Sequence, residues 1–251
     1  SDSGNSNYGT AKVGTVDSSD NSISFGSAVV YESASINDSG PQAITFDSNS
    51  NKVVIAYRDL GNSDYGTAIV GTVSGTSISF GSAAVFESAR ALGISSTFDS
   101  SNNKVVIAYR DLGNSDYGTA IVGTVSGTDI SFGTAVVFEN AESNEIGTTF
   151  DSSNNKVVIF YSDEGTNGQG TAIVGTVSGT SISFGTAVVF DSDNSNKMSA
   201  TFDTNANKVV TAYMDRGTDG SDQGTVITGS VSGTSITFDT ATEFDDSDVN
   251  A

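Results

Sequence analysis

In residues 52–57, KVVIAY, the positions Val53, Ile55 and Tyr57 alternate with Val54 and Ala56, and both sets are apolar. A period of two predicts a strand, and apolar residues on both sets predict a strand covered on both faces. Residues 66–73 (GTAIVGTV) and 77–87 (SISFGSAAVFE) read the same way, the latter with a central Gly that predicts a bend. Residues 43–46 complete a set of four strands. The stretches between them, DSNSN at 47–51 and SGT at 74–76, supply the Asx and Gly residues that tight turns require.

This pattern returns. Phe-Asp recurs at Phe46-Asp47, Phe98-Asp99, Phe150-Asp151 and Phe202-Asp203, a period of 52 residues, and residues 47–88 agree with 99–140 at 36 of 42 positions. The chain divides into a half unit, 1–42, and full units 43–94, 95–146, 147–198 and 199–251. A fixed period with four strands per unit predicts an all-β β-propeller of four-stranded antiparallel blades, five-bladed with one incomplete blade. The alternative repeat architecture, a β-solenoid, has shorter rungs without tight hairpins. Ser1 stands where Arg58 and Arg110 stand later, so the first unit lacks its leading hairpin. An unfilled blade exposes a strand edge and predicts a homo-oligomer or a partner strand there.

Composition supports the all-β reading and narrows the partners. Val, Ile, Thr, Phe and Tyr carry the apolar pattern, with three Leu, one Pro and 28 Gly in 251 residues. The net charge of −20 argues against nucleic acid and anionic membrane, both of which demand a basic surface. There is no Cys and no His, which removes disulfides, thiolate metal sites and the commonest catalytic base. No 18-residue apolar run predicts membrane insertion. A start at Ser1 rather than Met is read as a processed or excised product.

Because the units are copies, they can be compared with one another. The hairpins hardly change, whereas the connection from fourth to first strand does: SARALGI at 88–94, NAESNEI at 140–146 and DSDNSNKM at 191–198, with SASINDSGPQ at 33–42. The connection from second to third strand should emerge on the same face and reads RDLGNSDYGT at both 58–67 and 110–119. Loops on a rigid scaffold are where binding concentrates, so this face is the expected ligand site. Its candidate contacts are Arg58, Asp64, Tyr65, Arg90, Arg110, Asp116, Tyr117 and Lys197. The tyrosines are candidate platforms for sugars, whereas Arg90, Lys197 and Arg216 also fit simple solvated charges. Asp59, Asn62 and Asp64, with their copies Asp111, Asn114 and Asp116, space hard oxygen ligands around a Gly and could hold Ca²⁺. The same residues also fit an Asx-rich turn whose Asp accepts backbone N–H groups.

No pair of carboxylates is singled out by environment, and Ser and Thr occur without a base to activate them, so an enzyme is not expected. The text KVVIAYRD…GNSDYGTAIVGTVSGTSISFG…VVFESA resembles repeats of virion-associated or secreted proteins of marine bacteriophages and marine bacteria. That resemblance implies an extracellular or virion-surface location, a tail-fibre or display role, and a host-surface glycan or protein receptor as partner. The expected function is a non-catalytic adhesion module; the alternative is a structural, self-assembling spacer or lattice subunit.

Overall fold

The computed structural model describes residues 2–36, 42–217 and 222–245. The half unit forms β1 (Tyr8–Ala11), β2 (Gly14–Val16), β3 (Ile23–Phe25) and β4 (Val29–Ser35), joined as two small hairpins, β1 with β4 and β2 with β3. The next unit gives β5 (Ala43–Asp47), β6 (Lys52–Asp59), β7 (Tyr65–Ser74) and β8 (Ser77–Phe80). Then follow β9 (Ala84–Asp99), β10 (Lys104–Asp111), β11 (Tyr117–Ser126) and β12 (Asp129–Phe132). The fourth group is β13 (Val136–Asp151), β14 (Lys156–Asp163), β15 (Gln169–Ser178) and β16 (Ser181–Phe184). The last is β17 (Val188–Asp203), β18 (Lys208–Arg216), β19 (Asp222–Ser232), β20 (Ser235–Phe238) and β21 (Thr242–Asp245).

The five-bladed propeller expected from the repeat is not what forms. Strands β5 to β21 make one long antiparallel ladder of 17 strands rather than a ring of separate four-stranded blades. The reason lies in the segments read as variable loops. Residues 88–94, 140–146 and 191–198 are interior to β9, β13 and β17, each 16 residues long. The first half of β9 pairs with β7 and its second half with β10, so a single strand carries the ladder from one unit to the next. Strands β13 and β17 do the same. Among the described residues β5 pairs only with β6, and β21 only with β19, so the ladder is open. The part of the first such connection at 37–41 lies outside the described residues.

Each shared strand bends at a left-handed residue of one repeat position: Gly93 (φ 56°), Glu145 (φ 50°) and Lys197 (φ 50°). The register shifts there, for example between Ala108↔Ser95 and Arg110↔Leu92, as a β-bulge requires. The expected bend in the fourth strand is a full break, with Gly81 between β8 and β9.

The ladder folds so that successive units pack face to face. On β10, Val105, Ile107 and Tyr109 enter one core with Val54, Ala56 and Val70 of the preceding unit. Val106 and Ala108 point the other way, into a core with Val157, Ile159 and Tyr161 of the following unit. The two-sided apolar alternation of the sequence thus serves two different cores. A fully buried Val or Ile contributes about 1.5–3 kcal/mol, so most of the stabilisation lies at these junctions. Two glycines show how close the packing is, one within a unit and one between units. A Cβ on Gly66 would stand 2.5 Å from the Phe86 ring, and one on Gly133 would stand 1.8 Å from the Thr180 carbonyl oxygen of the next unit.

Candidate recognition face

The turn from second to third strand is a one-turn 3₁₀ helix: Leu60–Asn62, Leu112–Asn114 and Glu164–Thr166. Asp59, Asp111 and Asp163 cap these turns, each side chain accepting from the Gly N–H two residues on, at 2.9, 2.8 and 2.9 Å. Ser63, Ser115 and Asn167 close them in the left-handed conformation. Each turn lies on the last strand of the preceding unit; a Cβ on Gly61 would meet Ala34, and one on Gly113 would meet Ala89. The face therefore consists of 3₁₀ turns braced by strand, with no free loop at 88–94 or 140–146.

This geometry separates the residues grouped for Ca²⁺. Asp59 and Asp111 are buried and turned towards backbone N–H groups; burial and then the nearby Glu32 push the Asp59 carboxyl up. Asp64 and Asp116 instead face Arg58 and Arg110, with Nε to carboxylate distances of 3.7 and 3.2 Å. Asn62 and Asn114 are exposed at the turn. The expected sugar-platform residues Tyr65 and Tyr117 are half-buried at the start of β7 and β11, opposite Arg90 and Glu142. Tyr57, Tyr109 and Tyr161 are wholly buried.

Those buried tyrosines couple the units. Tyr57, Tyr109 and Tyr161 donate to Glu32, Glu87 and Glu139 of the preceding unit at 3.1, 3.0 and 3.0 Å. Each also stacks on an aromatic ring of that unit, as Tyr109 does on Phe86 with centroids 5.1 Å apart. At the last junction, facing Tyr213, the glutamate is replaced by Asp191 of the fourth unit, one methylene shorter. Its carboxylate accepts from Asp193 N–H (3.1 Å) and Ser195 Oγ (2.6 Å) instead. Asp191, Asp193 and Asp215 bring carboxylate oxygens within 4.8 Å of one another, a grouping that the sequence reading missed. The signal was present as a Glu-to-Asp change at one repeat position.

The outer end of the strands carries charges that differ from copy to copy. Arg110 Nη1 donates to Glu142 Oε1 at 2.5 Å and to Asn144 Oδ1. Asn144 passes the contact on to Glu164 at 3.0 Å. One period earlier the same places hold Arg58, Arg90 and Leu92; one period later, Ser162, Asn194 and Asn196. Ser162 donates to the Gly168 carbonyl at 3.1 Å. Lys197 stands apart from this cluster, its N–H donating to Glu145 Oε2 at 2.9 Å. Arg216 pairs with Asp222 at 2.9 Å.

A second feature not foreseen is a polar groove of about 250 Å³ where the bends of β9, β13 and β17 meet the start of β5. Hydroxyls of Ser95, Ser96, Thr148 and Ser199 line it. Some of these already pair across units, Ser95 with Thr148 at 2.9 Å and Thr45 with Ser96. No protein-family model matches the chain, and no curated protein matches it.

Proposed function

We propose that the chain is a non-catalytic display or adhesion module that recognises a host-surface glycan or protein through the face formed by the 3₁₀ turns and the outer ends of the shared strands. The observation that carries this reading is the position occupied in turn by Arg90, Glu142 and Asn194. The frame around it stays fixed: the capping aspartates, the left-handed turn residues and the packed glycines recur in place. The charge presented by that frame changes sign and then vanishes. Such a pattern fits a rigid scaffold offering a different contact from each unit, with modest single-unit affinities raised by multivalency. An extracellular or virion-surface location belongs to the same proposal and rests on the repeat resemblance. The test is binding of the chain to a panel of bacterial surface polysaccharides, beside variants Arg90→Ala, Glu142→Ala and Asn194→Ala. Binding weakened by these changes supports the reading. Binding to nothing, or binding indifferent to all three, removes it.

A second reading, a self-assembling subunit, is favoured by the outer faces of the described stack. Phe46 is 55% exposed, whereas its copies Phe98, Phe150 and Phe202 pack against the junction cores. Phe244 is 65% exposed beside an apolar cleft of about 270 Å³, whereas Phe86 and Phe138 are buried by the next unit. Self-association that rises with concentration and is lost in Phe46→Ser with Phe244→Ser would support assembly; a monomer at all concentrations would oppose it.

A further inference from the structure

In the third unit, Arg110 is held by acceptors of its own chain, the carboxylate of Glu142 and the carbonyl of Asn144, with Asp116 beside its Nε. The second unit keeps the basic residue and the near acid, as Arg58 and Asp64. It lacks both acceptors: Arg90 stands for Glu142, and Leu92 for Asn144. The Arg58 side chain is only 10% exposed and Asp64 lies 3.7 Å from its Nε. The Nε lacks a hydrogen-bond partner in Arg58 and Arg110 alike, so the difference between the units lies in the acceptors that Glu142 and Asn144 give to Arg110 Nη1. Arg90 is exposed and makes no hydrogen bond or ion pair among the described residues. Burial, followed by the Arg90 charge, pushes the Arg58 guanidinium down from its ordinary value. Two guanidiniums therefore sit close enough to repel each other, and among the described residues Asp64 is the one acid paired with Arg58, in a chain of net charge −20.

We propose that Arg58 and Arg90 bind a carboxylate of an external ligand, namely an isolated uronic acid residue of a surface polysaccharide. Resting on the adhesion reading, this assigns the ligand chemistry of the second unit. The third unit supplies the template: where Arg90 is replaced by a carboxylate, that carboxylate lies on the arginine. Guanidinium donors match a carboxylate in a bidentate geometry, and a charge-assisted bond of this kind is about twice as strong as a neutral one. The surrounding negative charge disfavours a polyanion and restricts the ligand to one carboxylate on an otherwise neutral chain. Tyr65, paired across the ladder with Arg90, is half-buried and offers an aromatic flank to a sugar ring.

The test is a nuclear magnetic resonance titration of the 251-residue chain with glucuronate, reading the arginine side-chain N–H signals, beside glucose, acetate and a glutamate-containing peptide. Saturable shifts at Arg58 and Arg90 with glucuronate, absent with glucose and weaker with acetate, support the site. Arg90→Glu writes the third unit's arrangement into the second and should retain the fold, with dispersed amide signals. It should weaken glucuronate binding at least about tenfold. No saturable shift, or a shift that survives Arg90→Glu, overturns the proposal. Equal or tighter binding of acetate or the peptide overturns the assignment to a sugar. Polysaccharide binding that Arg90→Glu leaves intact would remove this site while leaving the adhesion reading in place.

Discussion

The Tyr109 hydroxyl donates to Glu87 Oε2 at 3.0 Å across the junction between two units, while Glu87 Oε1 accepts from Ala89 N–H in its own strand. One carboxylate thus fixes both the next unit's second strand and the start of its own bend. Tyr109→Phe leaves that carboxylate part-buried and short of a donor. The expected loss is about 1.5–3 kcal/mol, read as a lower urea midpoint. Glu87→Asp, which imitates Asp191 at the last junction, should fall between wild type and Tyr109→Phe. An unchanged midpoint in both would show that the bond does not couple the units.

The same tyrosines make the fold sensitive to alkali. Burial, and then the adjacent Glu32, push Tyr31 up to about 12, and burial with the facing Glu87 or Glu139 pushes Tyr109 and Tyr161 higher still. A raised folded pKa means the folded state holds the phenol proton more tightly. This contribution is complete below the ordinary tyrosine value of about 10 and is lost as the pH rises through the folded values. Phenolate absorbance and loss of the β circular dichroism signal should therefore rise together above about pH 10. Complete phenolate formation with the β signal intact would contradict the burial of these rings.

Gly133 tests the closeness of the stack. An added Cβ meets the Thr180 backbone 1.8 Å away, which no rotamer change relieves. Gly133→Ala should cost at least the about 1–3 kcal/mol typical of overpacking and open the junction between the third and fourth units first. Gly179→Ala is the control: its site is open, with φ at +62°, so only left-handed strain of about 1–2 kcal/mol applies. Proteolysis that begins at the same place in both variants would argue against the face-to-face packing.

Much of the local structure was legible in the sequence, because alternation and turn chemistry act within a few residues. Val105 and Val106 announce a strand covered on both sides, and the Asp-Ser-Asn turns form as the Asx pattern implies, with Asp99 accepting from Ser101 and Asn102 N–H. The path between units was not legible. SARALGI lacks the β-branched density of a strand, and its extended form is imposed by pairing on both sides, with Leu92 opposite Arg110 and Arg90 opposite Tyr65. Tertiary pairing overrode a weak local preference. The turn residues were located correctly, but whether a carboxylate there faces a cation or a backbone N–H depends on rotamer and burial. Asp191 and Asp193, which stand where earlier copies have Glu87 with Ala89 and Glu139 with Ala141, bring carboxylate oxygens within 4.8 Å of Asp215.

Asp111 distinguishes those two roles. As a cap, its change to Ala should cost about 1 kcal/mol, equally in calcium and in chelator. A calcium-dependent rise in melting temperature that Asp111→Ala abolishes would instead place the ion at this turn.

Hydrogen–deuterium exchange across residues 88–96 and 140–148 tests most directly the claim that fixed strands, rather than free loops, present the varying charges of the proposed recognition face. Slow exchange throughout both stretches, comparable to that of β10 and β14, is the predicted result. Exchange as rapid as in an exposed turn would contradict it and return these segments to connecting loops.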